Sequence, residues 1–433
     1  MIQTIKNAWK VPELRSKILF TLLVILLYRL GANIFVPFLN ASAVETTLAQ
    51  MGGLFDYMNL LSGGAFAQGT VFALNVSPYI TASIVIQLLT VALPPLERWS
   101  KDGEEGRKKI SALTRVVTVA LALITAVGYT MLLDSYSLLT RNDWFAYVVI
   151  IACFCAGSSV IMWLAEKINE FGIGNGISMI LFANILSRGT AAVSAVWGMT
   201  FTEGTFGGFS AWGLVKSILS VAITLAIIVL IIWFTESERR IPIQYAKRQV
   251  GRKMYGGQSS NLPLKMNMAG VMPVIFASSI ASIPATIATF ITNEEHWFYK
   301  FANGWFNYDT IPYLVVYIVL IFLFSYFYIM ISFNPVEVAN NIRNQGGSVP
   351  GIRPGKPTSD YITRILGRIT TLGAIFLAFI AGFPMLINII FQGDFSGIAF
   401  GGTSMLIVVG VALETFRSLE SQLAMRNYKG FLD

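Results

Sequence analysis

The residues that could do covalent chemistry in this chain do not stand where that chemistry needs them. A Gly-Lys pair occurs in PGIRPGKPT, but a phosphate-cradling loop needs a glycine where Pro350 stands and Ser or Thr where Pro357 stands. FGIGNGIS has alternating glycines, yet it follows an apolar helix rather than a strand, and a tight turn is the expectation there. Cys153 and Cys155 are two apart in an apolar run. At that spacing they do not face each other on a helix, and two thiols alone make no metal site. The single histidine, His296, falls in a connection, where a proton relay would not use it. Glu414 lies near the inner end of its span, within reach of the interface, and Arg29 is expected to pair across helices or to snorkel outward. No span carries paired carboxylates, HExxH or a Ser/His pair. Neither catalysis, cofactor nor metal is expected.

The chemistry that remains is solvation. Residues 75–92 read NVSPYITASIVIQLLTVA, long enough to cross a bilayer. Asn75, Ser77, Pro78, Thr81, Ser83, Gln87 and Thr90 would be costly against lipid, because unpaired polar groups lose several kcal/mol in hydrocarbon. Such a helix should face protein or a water-filled cavity. Ile80 and Ile84, four apart, share one of its faces. A proline-broken polar helix with an apolar collar suits a gated aqueous pathway.

The elements that must position these residues follow from composition. The chain has 433 residues, 55% hydrophobic and 12% charged, against about 25% charged in soluble domains. Ten spans are expected, at 18–36, 75–93, 111–133, 144–165, 177–197, 212–234, 268–291, 311–333, 365–391 and 402–424. The start lacks a short apolar region followed by a cleavage site, so the first span reads as a retained helix. The odd connections and the outer half of span 5 carry only Arg141, Arg188 and Lys300; Arg29 and Lys216 also lie within spans; the other 26 of 31 Lys and Arg lie at the termini, in the even connections or at the inner ends of the spans that adjoin them. This bias places both termini on the cytoplasmic side, as an even span count requires. The sixth and eighth connections, about 235–267 and 333–364, are long for plain connectors and read as docking loops.

Ten spans divide into two halves of five, 1–200 and 201–433. An odd number per half inserts the second upside down relative to the first, the geometry of an inverted repeat. Span 2 with Pro78 and span 7 with Pro273, Pro284, Ser278, Ser279 and Ser282 are the proline-interrupted pair that marks such a fold. The first outside connection, 37–74, has no Lys or Arg, and its glycine-rich second part is too short and polar to span. A re-entrant segment at about 57–72 is expected, since irregular backbone at membrane depth must be buried in protein or line a cavity. The expected class is an all-α membrane protein of ten transmembrane helices in two inverted halves with a re-entrant segment. Two functions fit so far: a gated aqueous channel, or a secondary transporter of small solutes. The transporter would normally show intramembrane carboxylates.

Four segments then carry a resemblance: ALNVSPYITASIVIQLLTVALPPLE, ERRIPIQYAKRQVGRKMYGGQSSNLPLKMNMAGVMPVIFASSI, FNPVEVANNIRNQGGSVPGIRPGKPT and FGGTSMLIVV. They resemble the SecY family, channel subunits of the bacterial protein-conducting translocon, and the likeness runs from the first span to the last. It implies an hourglass channel between two five-helix halves. The matching waist positions are Ile80, Ile84, Ile177, Leu181, Ile275 and Ile407, with Leu181 where isoleucine is common. An apolar constriction excludes water and ions by dewetting, and aliphatic side chains can close around a varied polypeptide. Leu61, Ser62, Gly63, Gly64, Ala65, Phe66, Gly69 and Thr70 resemble the plug. Spans 2 and 7 resemble the lateral gate, with Pro78, Ser83, Gln87, Asn267, Pro273 and Ser279 along the seam, and Gln87 and Asn267 as a polar latch. Arg240, Lys247, Arg248, Arg252, Arg353 and Lys356 are implied to dock the SecA motor ATPase or the ribosome. The resemblance also implies SecE and SecG subunits, signal-sequence-bearing clients, passage of membrane helices into lipid, and a bacterial plasma membrane.

Overall fold

The computed structural model describes residues 2–51, 59, 62–190, 193–194, 211–245, 248–250, 253–255, 259–288, 296–306, 310–391 and 402–429. The expected half boundary at 200 and 201 lies outside them, as do Leu61, Lys247 and Arg252.

The chain opens with α1 (Ile2–Lys10) and α2 (Pro12–Gly31). Pro12 sits in the first turn of α2, where its missing N–H costs nothing. After α3 (Ala41–Met51), residues 62–76 run through turns without helix, then α4 (Ser77–Ala92) begins with Pro78 in its first turn. Leu93 is extended, as the residue before a proline tends to be, and the chain bends by 100° into α5 (Pro94–Lys101). Two long helices follow, α6 (Gly103–Ser135) and α7 (Trp144–Phe171), then the short α8 (Gly176–Ser187). Asn175 caps α8, its Oδ1 accepting from the N–H groups of Ile177 and Ser178. Gly176 lies so close to α7 that a Cβ there would meet the Ala165 carbonyl, so FGIGNGIS is the tight turn its glycines suggested.

The second part comprises α9 (Ala211–Glu236), β1 (Glu238–Tyr245), β2 (Arg248–Val250), β3 (Lys253–Tyr255), β4 (Ser259–Lys265), α10 (Met272–Ala288), α11 (Trp297–Trp305), α12 (Ile311–Ser332), α13 (Pro335–Asn344), β5 (Gly347–Ser348), α14 (Lys356–Phe391) and α15 (Gly402–Lys429). The ten expected spans correspond to α2, α4, α6, α7, α8, α9, α10, α12, α14 and α15. Among the described residues six of these are long and apolar enough to cross alone, and α4 with α5 makes a seventh if the bent pair counts as one. The described parts of α8 and α10 are apolar but shorter, and α2 carries Glu13, Arg15, Lys17 and Arg29. Leu19, Leu22, Leu23, Leu26, Leu27 and Leu30 of α2 are exposed, an outward face that only lipid would solvate.

Neighbour order repeats between the parts. Span 2 packs on span 3 and span 3 on span 4 (α4, α6, α7); span 7 packs on span 8 and span 8 on span 9 (α10, α12, α14). The parts meet where α4 lies against α10 and α8 against α15. At one end the two termini come together: Ala8, Leu14, Ile173 and Leu419 form a small core, and Lys17 Nζ donates to Gln422 Oε1 at 3.3 Å.

The long connections are more than loops. β1 pairs antiparallel with β4 and with β5, giving the order β4-β1-β5, while β2 and β3 form a separate two-stranded ladder. Alternation in β1 buries Ile241 and Ile243 on Leu264, Ile342, Val349 and Ile362. Arg417 of α15 ties that helix to the end of α9 just before β1, donating to Glu236 Oε1 at 2.8 Å and to the Thr235 carbonyl at 3.2 Å. Nearby, burial and the like charge of Arg417 pull the Lys265 ammonium below its usual range, against the opposing pull of Glu236, Glu238 and Glu414.

Candidate functional site

The apolar candidates share one core. Ile80 and Ile84 stand one turn apart on α4 and are buried; Leu181 on α8, Ile275 on α10 and Ile407 on α15 are buried too. These five belong to one hydrophobic cluster, and half-buried Ile177 packs against it. Four helices supply them, two from each part of the chain. Their alternatives along the same helices are polar: Ser83 and Gln87 follow on α4, Ser278 and Ser279 on α10.

Beside this cluster lies the irregular segment 62–70. Ser62, Ala65, Phe66 and Thr70 are buried. Ala65 joins the cluster that holds five of the aliphatic candidates, whereas Phe66 joins a second one with Tyr129 and Phe154. The Tyr129 ring lies 4.6 Å from that of Phe66, and its hydroxyl donates to the Phe66 carbonyl at 2.6 Å. Ser62 Oγ accepts from Phe66 N at 3.0 Å and Thr70 Oγ1 donates to Ala65 O at 3.2 Å. The chain beyond is stitched to the end of α2 by Val36 N to Gly69 O at 3.3 Å and Val71 N to Ile34 O at 2.9 Å. Gly157 of α7 makes room for this approach, because a Cβ there would sit 1.9 Å from the Val71 carbonyl oxygen. Irregular backbone at this depth thus has protein partners, as burial away from water demands.

Between segment and helices is a polar node that sequence reasoning missed. Asn75, in the left-handed region at φ 52, places its side chain among α2, α7 and α8. Its Oδ1 accepts from Tyr28 OH and from Asn184 Nδ2, each at 3.3 Å, and Ser158 Oγ donates to its carbonyl at 3.5 Å. All four side chains are buried. Arg29, next in sequence to Tyr28, donates from Nη1 to the Gly63 carbonyl at 3.3 Å. It neither pairs with a side-chain carboxylate among the described residues nor snorkels away. The available signal was an asparagine before a proline-started span and a lone arginine in an apolar helix; their partners lie too far along the chain for spacing to reveal.

Along the seam between α4 and α10, Pro78 and Pro273 are buried, and Ser83, Gln87, Asn267 and Ser279 are half-buried. The expected latch is not formed among the described residues: Gln87 Nε2 reaches back one turn to Ser83 Oγ at 3.5 Å, and Ser279 Oγ bonds the Ile275 carbonyl at 2.9 Å. A helical turn offers these short side chains a nearer partner than the facing helix does. Of the basic candidates, Arg240, Arg353 and Lys356 are exposed. Arg240 pairs with Glu238 at 2.6 Å. Arg353 stands between the left-handed Gly351 and Gly355, and its carbonyl, not its side chain, accepts from Thr358 Oγ1 at 2.9 Å. Arg248 lies on β2. His296 caps α11, its ring accepting from Phe298 N at 3.3 Å. Both cysteines are free, and no metal-ligand cluster occurs among the described residues.

A family model described as SecY matches residues 70–416. Curated relatives include "Protein translocase subunit SecY" of Bacillus subtilis, 43% identical, and that of Streptomyces galbus, 42% identical, each aligned over 100% of both chains. Among solved structures, "The plug domain of the SecY protein stablizes the closed state of the translocation channel and maintains a membrane seal" superposes with a TM-score of 0.64 at 17% identity, covering 96% of each chain. "Sec61 in the Canine ribosome-channel complex from the endoplasmic reticulum" gives 0.61 at 17% identity with the same coverage. At that identity the structural matches speak for the fold.

Proposed function

The chain belongs to the SecY family, and from that premise we propose how its residues divide the work of a translocon channel in a bacterial plasma membrane with both termini cytoplasmic. Membership makes it a multi-pass membrane channel for polypeptides and not an enzyme. The transporter alternative is not favoured. In our reading Ile80, Ile84, Ile177, Leu181, Ile275 and Ile407 form the waist. The observation that carries this is their convergence, from four helices of both halves, on one apolar cluster. An aliphatic constriction that water does not wet blocks ions, yet its side chains part around an extended chain. Segment 62–70 is the plug. The seam where α4 meets α10 is the lateral gate, through which signal sequences and membrane helices enter lipid. The termini are assigned to the cytoplasm by the basic residues of the even connections.

The exposed basic residues Arg240, Arg353 and Lys356, with Lys247, Arg248 and Arg252, are the proposed docking points for the SecA motor or the ribosome. SecE and SecG are the proposed small partners. The test is reconstitution of the purified complex into vesicles with SecA and a signal-bearing preprotein. Arg353→Glu should leave the membrane-inserted amount unchanged, because surface changes usually alter stability by only about 0.5 kcal/mol. Motor-driven import into the vesicles should fall at least severalfold. Loss of the protein from the membrane would assign Arg353 to folding, and full import would remove it from docking.

A further inference from the structure

Arg29 presents a puzzle that the waist, gate and docking loops do not use. It lies in the last turn of an apolar helix that spans 20 residues, where a cation is expensive. The ion pairs among the described residues leave it out. Its guanidinium is directed at one backbone atom, the carbonyl of Gly63. Gly63 is at φ 66, and a Cβ there would come within 3.0 Å of Arg29 Nη1 and 3.1 Å of both Asn184 Oδ1 and Ser187 Oγ. Three polar groups from α2 and α8 therefore close around a residue with no side chain. Behind them, Asn184 is held by Asn75, which Tyr28 also holds. Tyr28 and Arg29 are consecutive, so the node and the contact to Gly63 share one turn of α2.

We propose that Arg29, Asn184 and Asn75 are positioning residues that form a polar seat for the segment 62–70, and that this seat sets how readily the segment leaves. The role of that segment as a plug rests on the function proposed above; the seat itself rests on the contacts just given. A charge-assisted bond from a guanidinium to a carbonyl is stronger than a neutral one, and this one is made by a half-buried side chain. Apolar packing alone would hold Ala65 and Phe66 without direction. The seat adds a fixed register, since Gly63 can occupy it in only one place. It is also reversible: when the segment leaves, Arg29 is near enough to the helix end to be rehydrated, whereas an apolar socket would refill poorly.

The test uses the full channel complex in vesicles, with Cys153 and Cys155 replaced by Ala and a single reporter cysteine at Ala67, a buried position in the segment. The reporter is alkylated by a membrane-impermeant maleimide from the side of the first connection, and resting ion conductance is recorded in parallel. Arg29→Met should raise the alkylation rate at position 67 at least fivefold, Arg29→Lys should restore most of the protection because an ammonium can still donate to the carbonyl, and Asn184→Ala should raise the rate as well. If Arg29→Met does not accumulate, Asn184→Ala decides alone. An alkylation rate at position 67 that neither Arg29→Met nor Asn184→Ala changes would overturn the seat. A raised rate with unchanged resting conductance would keep the seat and instead overturn the reading of 62–70 as a plug.

Discussion

At the scale of single residues, solvation decides what each position can do. Ile80, Ile84 and Ile275 are 6%, 1% and 5% exposed, so each is surrounded by other apolar groups and offers water no foothold. Replacing any of them by Asn adds a donor and an acceptor at the constriction and removes the dewetting barrier. Resting conductance of reconstituted vesicles should rise severalfold in Ile80→Asn, Ile84→Asn and Ile275→Asn, and preproteins with weakened signal sequences should be exported better. Unaltered conductance together with unaltered signal stringency in all three would remove them from the waist. Ile80 and Ile84 were legible in sequence because they share one face of a span rich in polar residues, whereas Ile275 was implied only by the family resemblance. The node of Tyr28, Asn75, Ser158 and Asn184 was not legible. Its bonds join residues 47 and 109 positions apart, and no periodicity links them.

At the scale of elements, proline placement explains both the expected breaks and the unexpected ones. Pro78 starts α4 and Pro94 follows it with a sharp bend, so span 2 is shorter than its apolar length suggested. α10 carries Pro284 inside, where one i to i−4 bond is missing. The two helices pack against each other, and Gln87 and Ser279 bond within their own helices. Nothing among the described hydrogen bonds ties Gln87 to Asn267, which suits a seam that must part. Cysteine pairs placed around Ile86 on α4 and Ser279 on α10, scanned over neighbouring turns, should crosslink and block export, and reduction should restore it. Efficient crosslinking at several pairs with export intact would place the exit to lipid at another seam. The sheet β4-β1-β5 was hidden because its alternation is brief and lies in a strongly basic connection, where charge dominates the pattern.

At the scale of the whole molecule, the first and last helices close on each other. Leu14 is 4% exposed and packs with Ala8, Ile173 and Leu419, drawn from both ends of the chain and from the turn before α8. Leu14→Ala should cost about 2–5 kcal/mol, the usual range for emptying a buried leucine site. The thermal midpoint of the detergent-solubilised complex, followed by tryptophan fluorescence, should fall accordingly. A midpoint that stays put would show that the halves are held together elsewhere, at α8 against α15 and α4 against α10. These crossings also carry the residues proposed for the waist, so weakening the terminal junction should lower stability more than it alters conductance.

The sequence by itself determined the membrane class, the ten helical positions, the irregular segment after α3 and the shared face of Ile80 and Ile84. Each follows from which solvent a residue tolerates, and that is a property of the residue and its near neighbours. Only the tertiary structure decided which polar groups meet. It sent Arg29 to the Gly63 carbonyl instead of to a carboxylate or to water, turned Gln87 back onto Ser83, folded the sixth connection into a sheet and gave His296 a capping bond. A sequence states that a buried donor must find an acceptor. The choice of acceptor depends on distances between helices, and those are fixed only when all the apolar faces have packed at once.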